Sequence, residues 1–272
     1  FQNGLKVTTT LDYTIQEKAE SVAKNFAPKL TSDYGASNTA MVALDPRNGD
    51  ILMMVGSKNY FDQTIDGNFN IITAHRQPGS TMKPFVYAAA FNKGYTPETI
   101  LFDVPTEFST TCTPIISIDQ ASSADGCYHP QNFDGKFKGP ISLRSALAES
   151  RNVPSVKLLY LDGVQEVVDN AHALGITTLN NPKEIGLSLV LGGGEVTLLD
   201  MTSAYSVFAN SGTRNPAIGV LEVRDQSGKI LEQFEQDSAD VIDKNSVLTL
   251  NDVLSDPNAR IPTFGASWRY CL

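Results

Sequence analysis

The sequence predicts an α+β fold in which an antiparallel sheet is flanked by helices. Two pairs of short apolar runs are each joined by a turn sequence, which is typical of β-hairpins. Blocks of residues with apolar positions at helical spacing separate the two pairs. Because the strands come in neighbouring pairs and do not alternate with helices one by one, the order favours α+β layers over a doubly wound parallel sheet.

The chain is predicted to begin with a strand and a helix. Leu5 to Leu11 alternates in polarity and is rich in threonine, which favours an extended segment. Asp12 is a suitable N-cap for a helix whose apolar spacing runs up to Pro28. Residues 32–38 are polar and are predicted to be a linker.

Two hairpins are predicted from their turns. Thr39 to Leu44 and Ile51 to Val55 flank Asn48-Gly49, which is a strong hairpin signal. Ala217 to Arg224 and Lys229 to Phe234 flank a second polar turn. We expect the first pair to belong to the main sheet.

Most of the remaining chain is divided between irregular connections and helices. Residues 57–79 and 95–140 are rich in turn-forming residues and are predicted to be irregular, and the second stretch is long enough to line a functional site. Apolar residues at helical spacing predict helices at 80–93, 142–148, 154–161, 164–174, 198–211 and 241–254.

Composition limits the possible functions. The 272 residues are 41% hydrophobic, and we predict a linker segment at 1–35 followed by one main domain at 36–272. The formal net charge of −9 argues against a nucleic-acid partner, because a phosphate backbone requires clustered positive charge. The sequence contains no membrane-spanning apolar run and no signal peptide, and it begins without methionine. We therefore expect any anchor to lie upstream.

The cysteines allow a disulfide, and the histidines bear on whether the chain has a metal site. Cys112 and Cys127 lie in one polar segment, where a bridge would close a loop of about 15 residues and stabilise an exported protein by roughly 3 kcal/mol. Two free thiols are equally compatible with the sequence. His75, His129 and His172 show no paired metal-ligand spacing, so we predict no metal site.

The clearest chemical pattern is a serine and a lysine at the start of the helix predicted for 80–93. Ser80 and Lys83 are three residues apart, so they share one face of a helix within hydrogen-bonding reach. A serine hydroxyl becomes a nucleophile when a base takes its proton, and lysine is such a base when burial or nearby charge lowers its pKa. The pattern alone is weak, because it also occurs as an ordinary solvated helix start.

Three motifs together resemble the transpeptidase domain of penicillin-binding proteins. They are Gln77 to Lys83, Ser150 to Asn152 about 70 residues after Ser80, and Leu191 to Thr197 before a helix. Gly4 to Asp12 is similar to the linker between the glycosyltransferase and transpeptidase domains of class A, bifunctional members. The resemblance covers nearly the whole chain and implies the serine β-lactamase/D,D-transpeptidase fold.

The resemblance implies a peptidoglycan D,D-transpeptidase that crosslinks stem peptides and is acylated by β-lactams. Ser80 would be the nucleophile and Lys83 its base. Ser150 would pass the proton towards the leaving group, and the Asn152 amide would bind the substrate backbone. The family implies no cofactor. It implies an extracytoplasmic location, with an upstream glycosyltransferase domain and a membrane anchor in the parent chain.

One motif of the family is absent. No K-T-G or K-S-G triplet follows the last predicted helix, although in the family that strand contributes a cation for the substrate carboxylate and an oxyanion-hole N–H group. We therefore expect a domain that is incomplete at its C-terminus and weakly active or inactive by itself. The alternatives are a serine D,D-carboxypeptidase or β-lactamase-like hydrolase, and a non-catalytic peptidoglycan-binding domain.

Overall fold

The structure is a computed structural model, and it describes residues 4–120 and 126–266. The described residues divide into two compact units. The helices and strands, in chain order, are β1 (Lys6–Thr9), α1 (Tyr13–Tyr34), β2 (Met41–Leu44), β3 (Ile51–Val55), α2 (Lys83–Asn92), β4 (Ile100–Asp103), β5 (Gly139–Ser142), α3 (Leu143–Ala148), α4 (Asn152–Asp162), α5 (Val164–Leu174), α6 (Pro182–Ile185), α7 (Leu198–Ala209), β6 (Thr213–Arg214), β7 (Val220–Arg224), β8 (Ile230–Gln233), β9 (Ala239–Asp240), α8 (Lys244–Leu254) and α9 (Pro257–Phe264).

The first unit combines antiparallel strands with two packed helices, as the α+β prediction expects. Its described residues fall within Phe1–Arg76, His172–Thr178 and Glu195–Val241. β1, β7 and β8 form an antiparallel sheet, and β2 pairs with β3, so both predicted hairpins are confirmed. The expectation that the first hairpin belongs to the main sheet is wrong, because β2 and β3 form a separate two-stranded sheet. α1 packs on β3 through Ala19 and Ala23, whereas α7 packs on β2. β1 and α1, which fall in the stretch predicted to be a linker, thus contribute to this unit.

α1 begins as predicted but ends later. Asp12 caps it, and its carboxylate accepts two N–H bonds from the first turn. The predicted end at Pro28 is wrong, because the helix continues to Tyr34 and stops at Gly35, whose φ of 66° is left-handed. The prediction of a linker from residue 32 is therefore also wrong for residues 32–34. A proline removes one backbone hydrogen bond, and burial of the alanine face outweighs that loss.

The second unit is built around α2. Its described residues fall within Gln77–Ala171, Leu179–Gly194 and Ile242–Leu272. Every residue of α2 from Lys83 to Phe91 is buried, and the helix packs against α4 and α8. Because this helix has no polar face, it is the centre of the unit's core, and it carries Lys83 into that core.

Four elements of the second unit, β4, β5, α6 and α9, are not predicted from the sequence. β4 and β5 pair antiparallel, although all of β4 and the first half of β5 lie in the stretch predicted to be irregular, 95–140. Their strands are four residues long, and β5 contains glycine and proline, so no alternating pattern marks them. α9 begins with Pro257 and contains Pro262, which hides its helical spacing. The predicted helices at 142–148, 154–161, 164–174, 198–211 and 241–254 are confirmed within a few residues as α3, α4, α5, α7 and α8.

Cys112 and Cys127 form a disulfide, with their Cα atoms 5.7 Å apart. Of the two states that the sequence allows, the structure therefore has the bridged one. The buried Glu107 side chain joins the two arms of the same loop, since its Oε1 accepts N–H bonds from Ser109 at 2.9 Å and from Tyr128 at 2.6 Å. None of the helices in the described part of the chain is both long and apolar enough to cross a membrane.

Candidate active site

Ser80 and Lys83 lie on two consecutive elements. Ser80 is part of a 3-10 turn, Gly79–Met82, and Lys83 is the first residue of α2, so the single helix predicted for 80–93 is wrong in its first turn. Pro84 explains the break, because it has no N–H for an α-helical bond to the Ser80 carbonyl, which accepts from the Lys83 N–H instead. Ser80 is exposed, whereas Lys83 is 1% exposed.

The Lys83 amine meets three oxygen atoms. Its Nζ lies 2.6 Å from the Ser150 carbonyl oxygen, 3.0 Å from Ser150 Oγ and 2.7 Å from Asn152 Oδ1. A charged ammonium donates three hydrogen bonds, which satisfies all three oxygens. A neutral amine donates to the carbonyl and the amide oxygen and accepts from the Ser150 hydroxyl. The site therefore accommodates both protonation states of Lys83 without leaving a polar atom unpaired.

The pKa of Lys83 is far below that of an ordinary lysine. Burial, and in second place the positive charge of Arg151, together lower it to about 7. No carboxylate hydrogen-bonds to this amine among the described residues, so no negative partner restores its charge. A substantial fraction of Lys83 is consequently neutral at neutral pH, which is the state a general base requires.

Ser150 occupies a backbone position that usually belongs to glycine. It follows the end of α3, where the Arg151 N–H bonds to Ala146 O and the Ser150 N–H bonds to Leu147 O, both at 2.9 Å. These two bonds form a Schellman motif, in which the residue after the C-cap has a left-handed backbone. Ser150 occupies that position and has φ 56°. A non-glycine residue in this conformation costs free energy, and such strain is typical of functional positions.

Replacing Ser150 with glycine is expected to separate stability from activity. Ser150→Gly should raise the free energy of unfolding by about 1 kcal/mol, because glycine adopts a positive φ without strain. The same change removes the hydroxyl that meets Lys83, so the acylation by β-lactams that the resemblance implies should slow on the order of 10²-fold. Denaturant unfolding measures the change in stability, and the rate of covalent labelling by a fluorescent β-lactam measures the change in acylation.

Ser150→Ala is the matched control for that prediction. It removes the same hydroxyl but keeps a Cβ at the left-handed position, so acylation should slow without a gain in stability. A Ser150→Gly chain that is both less stable and as fast as wild type would contradict the assignment of strain and of a shuttle role.

Asn152 is fixed from both ends of its side chain. Its Oδ1 accepts from Lys83, its Nδ2 donates to the Gln131 carbonyl at 2.8 Å, and its backbone N–H donates to Asn132 Oδ1 at 2.8 Å. Among the described residues, the second N–H of this amide has no hydrogen-bond partner. Gln131 and Asn132 contact Asn152 although no sequence motif predicts this. Their place in the stretch predicted to line a site is the one indication in the sequence.

The Ser80 hydroxyl stands apart from this group. Within the part of the chain that the structure describes, it is not among the hydrogen-bond partners of Lys83. The structure therefore brings together Lys83, Ser150 and Asn152. Ser80, three residues before Lys83 in the sequence, is exposed on the 3-10 turn. Contacts of catalytic groups are often long without a substrate and tighten when one binds.

The G-G-G turn packs against the backbone just before Ser80. A Cβ on Gly192 would lie 2.2 Å from the Gly79 nitrogen, which no side chain tolerates, and Gly192 has φ 87°. The backbones of Gly192 and Gly79 are therefore packed directly against each other. The absence of a side chain at Gly192 thus allows close contact with the 3-10 turn that contains Ser80.

One cluster in the second unit has the composition of a metal site. The ligand atoms of Glu107, Cys112 and Cys127 lie within 4.8 Å of one another. The two sulfur atoms are bonded to each other, however, and a disulfide supplies no thiolate to a metal. The remaining carboxylate pairs with His129 Nδ1 at 3.0 Å, so the cluster is a structural clamp of the loop.

Comparisons with known proteins agree with these motifs. The family model described as the penicillin binding protein transpeptidase domain matches residues 39–256. Penicillin-binding protein 1A of Neisseria meningitidis is 32% identical over 222 residues, which cover 80% of this chain and 26% of that protein. Penicillin-binding protein 1C of Escherichia coli is 34% identical over 209 residues, covering 76% and 24%. The chain thus spans about a quarter of the length of these relatives.

Solved structures extend the likeness to the fold. The penicillin-binding protein PonA1 of Mycobacterium tuberculosis superposes with a TM-score of 0.72 and 26% identity over 93% of this chain and 63% of that chain. PonA1 has also been solved in complex with penicillin V, with the same superposition values. The predicted α+β class and the resemblance to class A penicillin-binding proteins are confirmed. This chain belongs to the family of penicillin-binding protein transpeptidase domains.

Proposed function

We propose that the chain carries the acyl-transfer site of a peptidoglycan D,D-transpeptidase that β-lactams inactivate. The observation that supports this most directly is a buried lysine with a pKa of about 7 that contacts Ser150 and Asn152, three residues after an exposed serine. Such a lysine is suited to take a proton from the hydroxyl of Ser80. Penicillin V bound to the related PonA1 supports β-lactams as ligands.

The proposed reaction has two steps. Ser80 Oγ attacks the carbonyl of the penultimate D-alanine, its proton passes to Lys83, and the bond to the terminal D-alanine breaks. Ser150 relays the proton to the nitrogen of the leaving D-alanine, while the Asn152 amide holds the peptide backbone. The amine of a neighbouring stem peptide then attacks the acyl-enzyme, forms the crosslink and returns the proton to Ser80.

The acyl-enzyme is proposed to persist until an acceptor amine arrives. A hydrolase on the same scaffold needs a base that activates water, and no carboxylate hydrogen-bonds to Lys83, Ser150 or Asn152 among residues 4–120 and 126–266. This favours the transpeptidase over a D,D-carboxypeptidase or a β-lactamase. We also propose that residues 36–272 form the transpeptidase part, that residues 1–35 form a linker segment, and that the parent protein works outside the cytoplasm beside a glycosyltransferase domain and a membrane anchor.

Covalent labelling by a fluorescent penicillin tests the proposal. Wild type should form an adduct of one penicillin per chain, slowly and at high penicillin concentration, because the sequence contains no K-T-G triplet. Residues 267–272, at the end of the stretch where the triplet is expected, lie outside the described residues. The Ser80→Ala chain should form no adduct, whereas Thr81→Ala, which removes the neighbouring hydroxyl, should be labelled.

Three results would contradict the proposal in different ways. Labelling that persists in Ser80→Ala would remove Ser80 as the nucleophile. Turnover of penicillin within minutes would favour the hydrolase, whereas a transpeptidase adduct lasts for hours. Affinity for stem peptide without any adduct would favour the non-catalytic binding domain.

A further inference from the structure

We propose that Asp103, at the end of β4, is a positioning residue of the candidate active site. It acts through the side chains of Asn132 and Arg151. These two side chains hold the loop from Ser150 to Asn152 against Lys83. The inference rests on the proposed transpeptidase function for its kinetic consequence, and on contacts within the second unit for its structural one.

Asp103 is a fully buried carboxylate with both oxygens engaged. Its exposure is 0%. Oδ1 accepts from Asn132 Nδ2 at 2.7 Å, and Oδ2 accepts from Arg151 Nε at 2.9 Å and from the Lys138 backbone N–H at 3.2 Å. A buried charge is tolerated only when it is paired and hydrogen-bonded in this way. The carboxylate therefore fixes its partners as firmly as they fix it.

The first arm of the network caps α4. The residue at the N-cap position, Arg151, gives this helix no side-chain hydrogen bond, so the first N–H groups of α4 need another acceptor. Asn132 Oδ1 supplies it, accepting from the N–H groups of Asn152 at 2.8 Å and of Val153 at 3.3 Å. Because Asp103 accepts from Asn132 Nδ2, the amide oxygen has to face α4. Asp103 thus sets the orientation of the cap.

The second arm of the network consists of the contacts of Arg151, the residue between Ser150 and Asn152. Arg151 is 4% exposed, and its guanidinium donates to Asp103, to Asp134 Oδ2 at 2.9 Å and to the Lys136 carbonyl. Asp134 is 42% exposed, so Asp103 is the buried partner of this charge. The Arg151 charge in turn helps to lower the pKa of Lys83, second to burial. Removing Asp103 would leave a buried guanidinium short of its main anion.

Asp103→Asn is the first test. It keeps the volume but places an N–H₂ group against donors, so the Ser150 to Asn152 loop should lose its fixed position. We expect the rate of fluorescent-penicillin labelling to fall on the order of 10²-fold, because a small displacement of reacting groups reduces a rate by about that factor. Amide hydrogen exchange at Asn152 and Val153 should become faster. Should this variant fail to fold, Asn132→Ala removes the cap without leaving a buried charge unpaired and should give the same two changes.

A matched control and a double variant distinguish positioning from general stability. Asp134→Asn removes a carboxylate from the same guanidinium but leaves Asn132 in place, so labelling should change less than about threefold. In a Ser150→Ala background, Asp103→Asn should slow labelling by a smaller factor than in wild type, because the part of its effect that runs through Ser150 is already lost. A merely structural role would slow both backgrounds by the same factor.

The outcomes keep the two proposals apart. If folded Asp103→Asn and Asn132→Ala chains are labelled within about threefold of wild type, or if exchange at Asn152 and Val153 is unchanged, the positioning role is overturned. If wild type itself forms no adduct, the proposed function fails, and amide exchange in the same variants still decides whether Asp103 positions the loop.

Discussion

A chain carrying Lys83→Met is expected to be acylated by penicillin about 10³-fold more slowly than wild type, within the range seen for removal of a general base. Methionine matches the apolar length of lysine, so the core around α2 should stay packed. The variant has no amine to accept the Ser80 proton. It also leaves the Ser150 carbonyl and Asn152 Oδ1 without their common donor. Stopped labelling reactions, quantified by gel fluorescence, measure the rate.

The pH dependence of the wild type belongs to the same prediction. Because the pKa of Lys83 is about 7, its neutral fraction grows as the pH rises through that value, and the acylation rate should rise with it. The control is Lys93→Met, which makes the same chemical change at the other end of α2 and should leave the rate unchanged. Labelling of Lys83→Met within tenfold of wild type, or a rate independent of pH between 6 and 8, would exclude Lys83 as the base.

Asp162→Asn is expected to stabilise the folded chain at pH 8 and to have little effect at pH 4. Asp162 is the last residue of α4, and neither of its carboxylate oxygens has a hydrogen-bond partner within the described part of the chain. The Lys93 ammonium is 4.0 Å from Oδ1, but it donates instead to the Asp162 backbone carbonyl at 2.6 Å and to Glu166 Oε2 at 2.7 Å. The charged carboxylate is therefore buried without a close partner.

The direction of this effect follows from proton binding. Burial raises the pKa of Asp162 from 3.8 to about 7, although Lys93 opposes the rise. Between these values the folded chain binds the proton more tightly than the unfolded chain, so the free energy of unfolding falls as the pH rises. The full loss above pH 7 is on the order of 4 kcal/mol. An asparagine does not titrate and avoids it.

Urea unfolding of both chains at several pH values tests this prediction. The difference between Asp162→Asn and wild type should be near zero at pH 4, should grow up to about pH 7 and should then stay constant. Asp169→Asn is a suitable control, because it removes an exposed carboxylate of the next helix, α5. A difference that does not depend on pH would mean that the Asp162 carboxyl is not titrating in the folded state.

The sequence predicts what depends on neighbours along the chain. Asp12 is recognised as a helix start, because its capping side chain bonds N–H groups two or three residues away. Pro28 misleads for the opposite reason. Its local preference ends a helix, and burial of Ala27 and its neighbours against other elements is invisible in the sequence around it.

The candidate site is predicted only in part for the same physical reason. Ser80 and Lys83 are neighbours in the sequence, so their pattern is visible. Asp103 meets Arg151 across 48 residues and Asn132 across 29, and no periodicity connects positions that far apart. These contacts depend on where β4 ends relative to α4, which packing decides. Asp103 is thus hidden in the sequence although it is among the most buried charged groups in the structure.

The left-handed backbone at Ser150 has a consequence for protein engineering. A directed-evolution screen that selects for thermal stability alone favours glycine at this position, because glycine relieves the strain. The first accepted change would then remove a hydroxyl in contact with Lys83. A stabilised version of this chain has to be designed with residue 150 held constant, and its gains have to come from positions such as Asp162 that carry no chemistry.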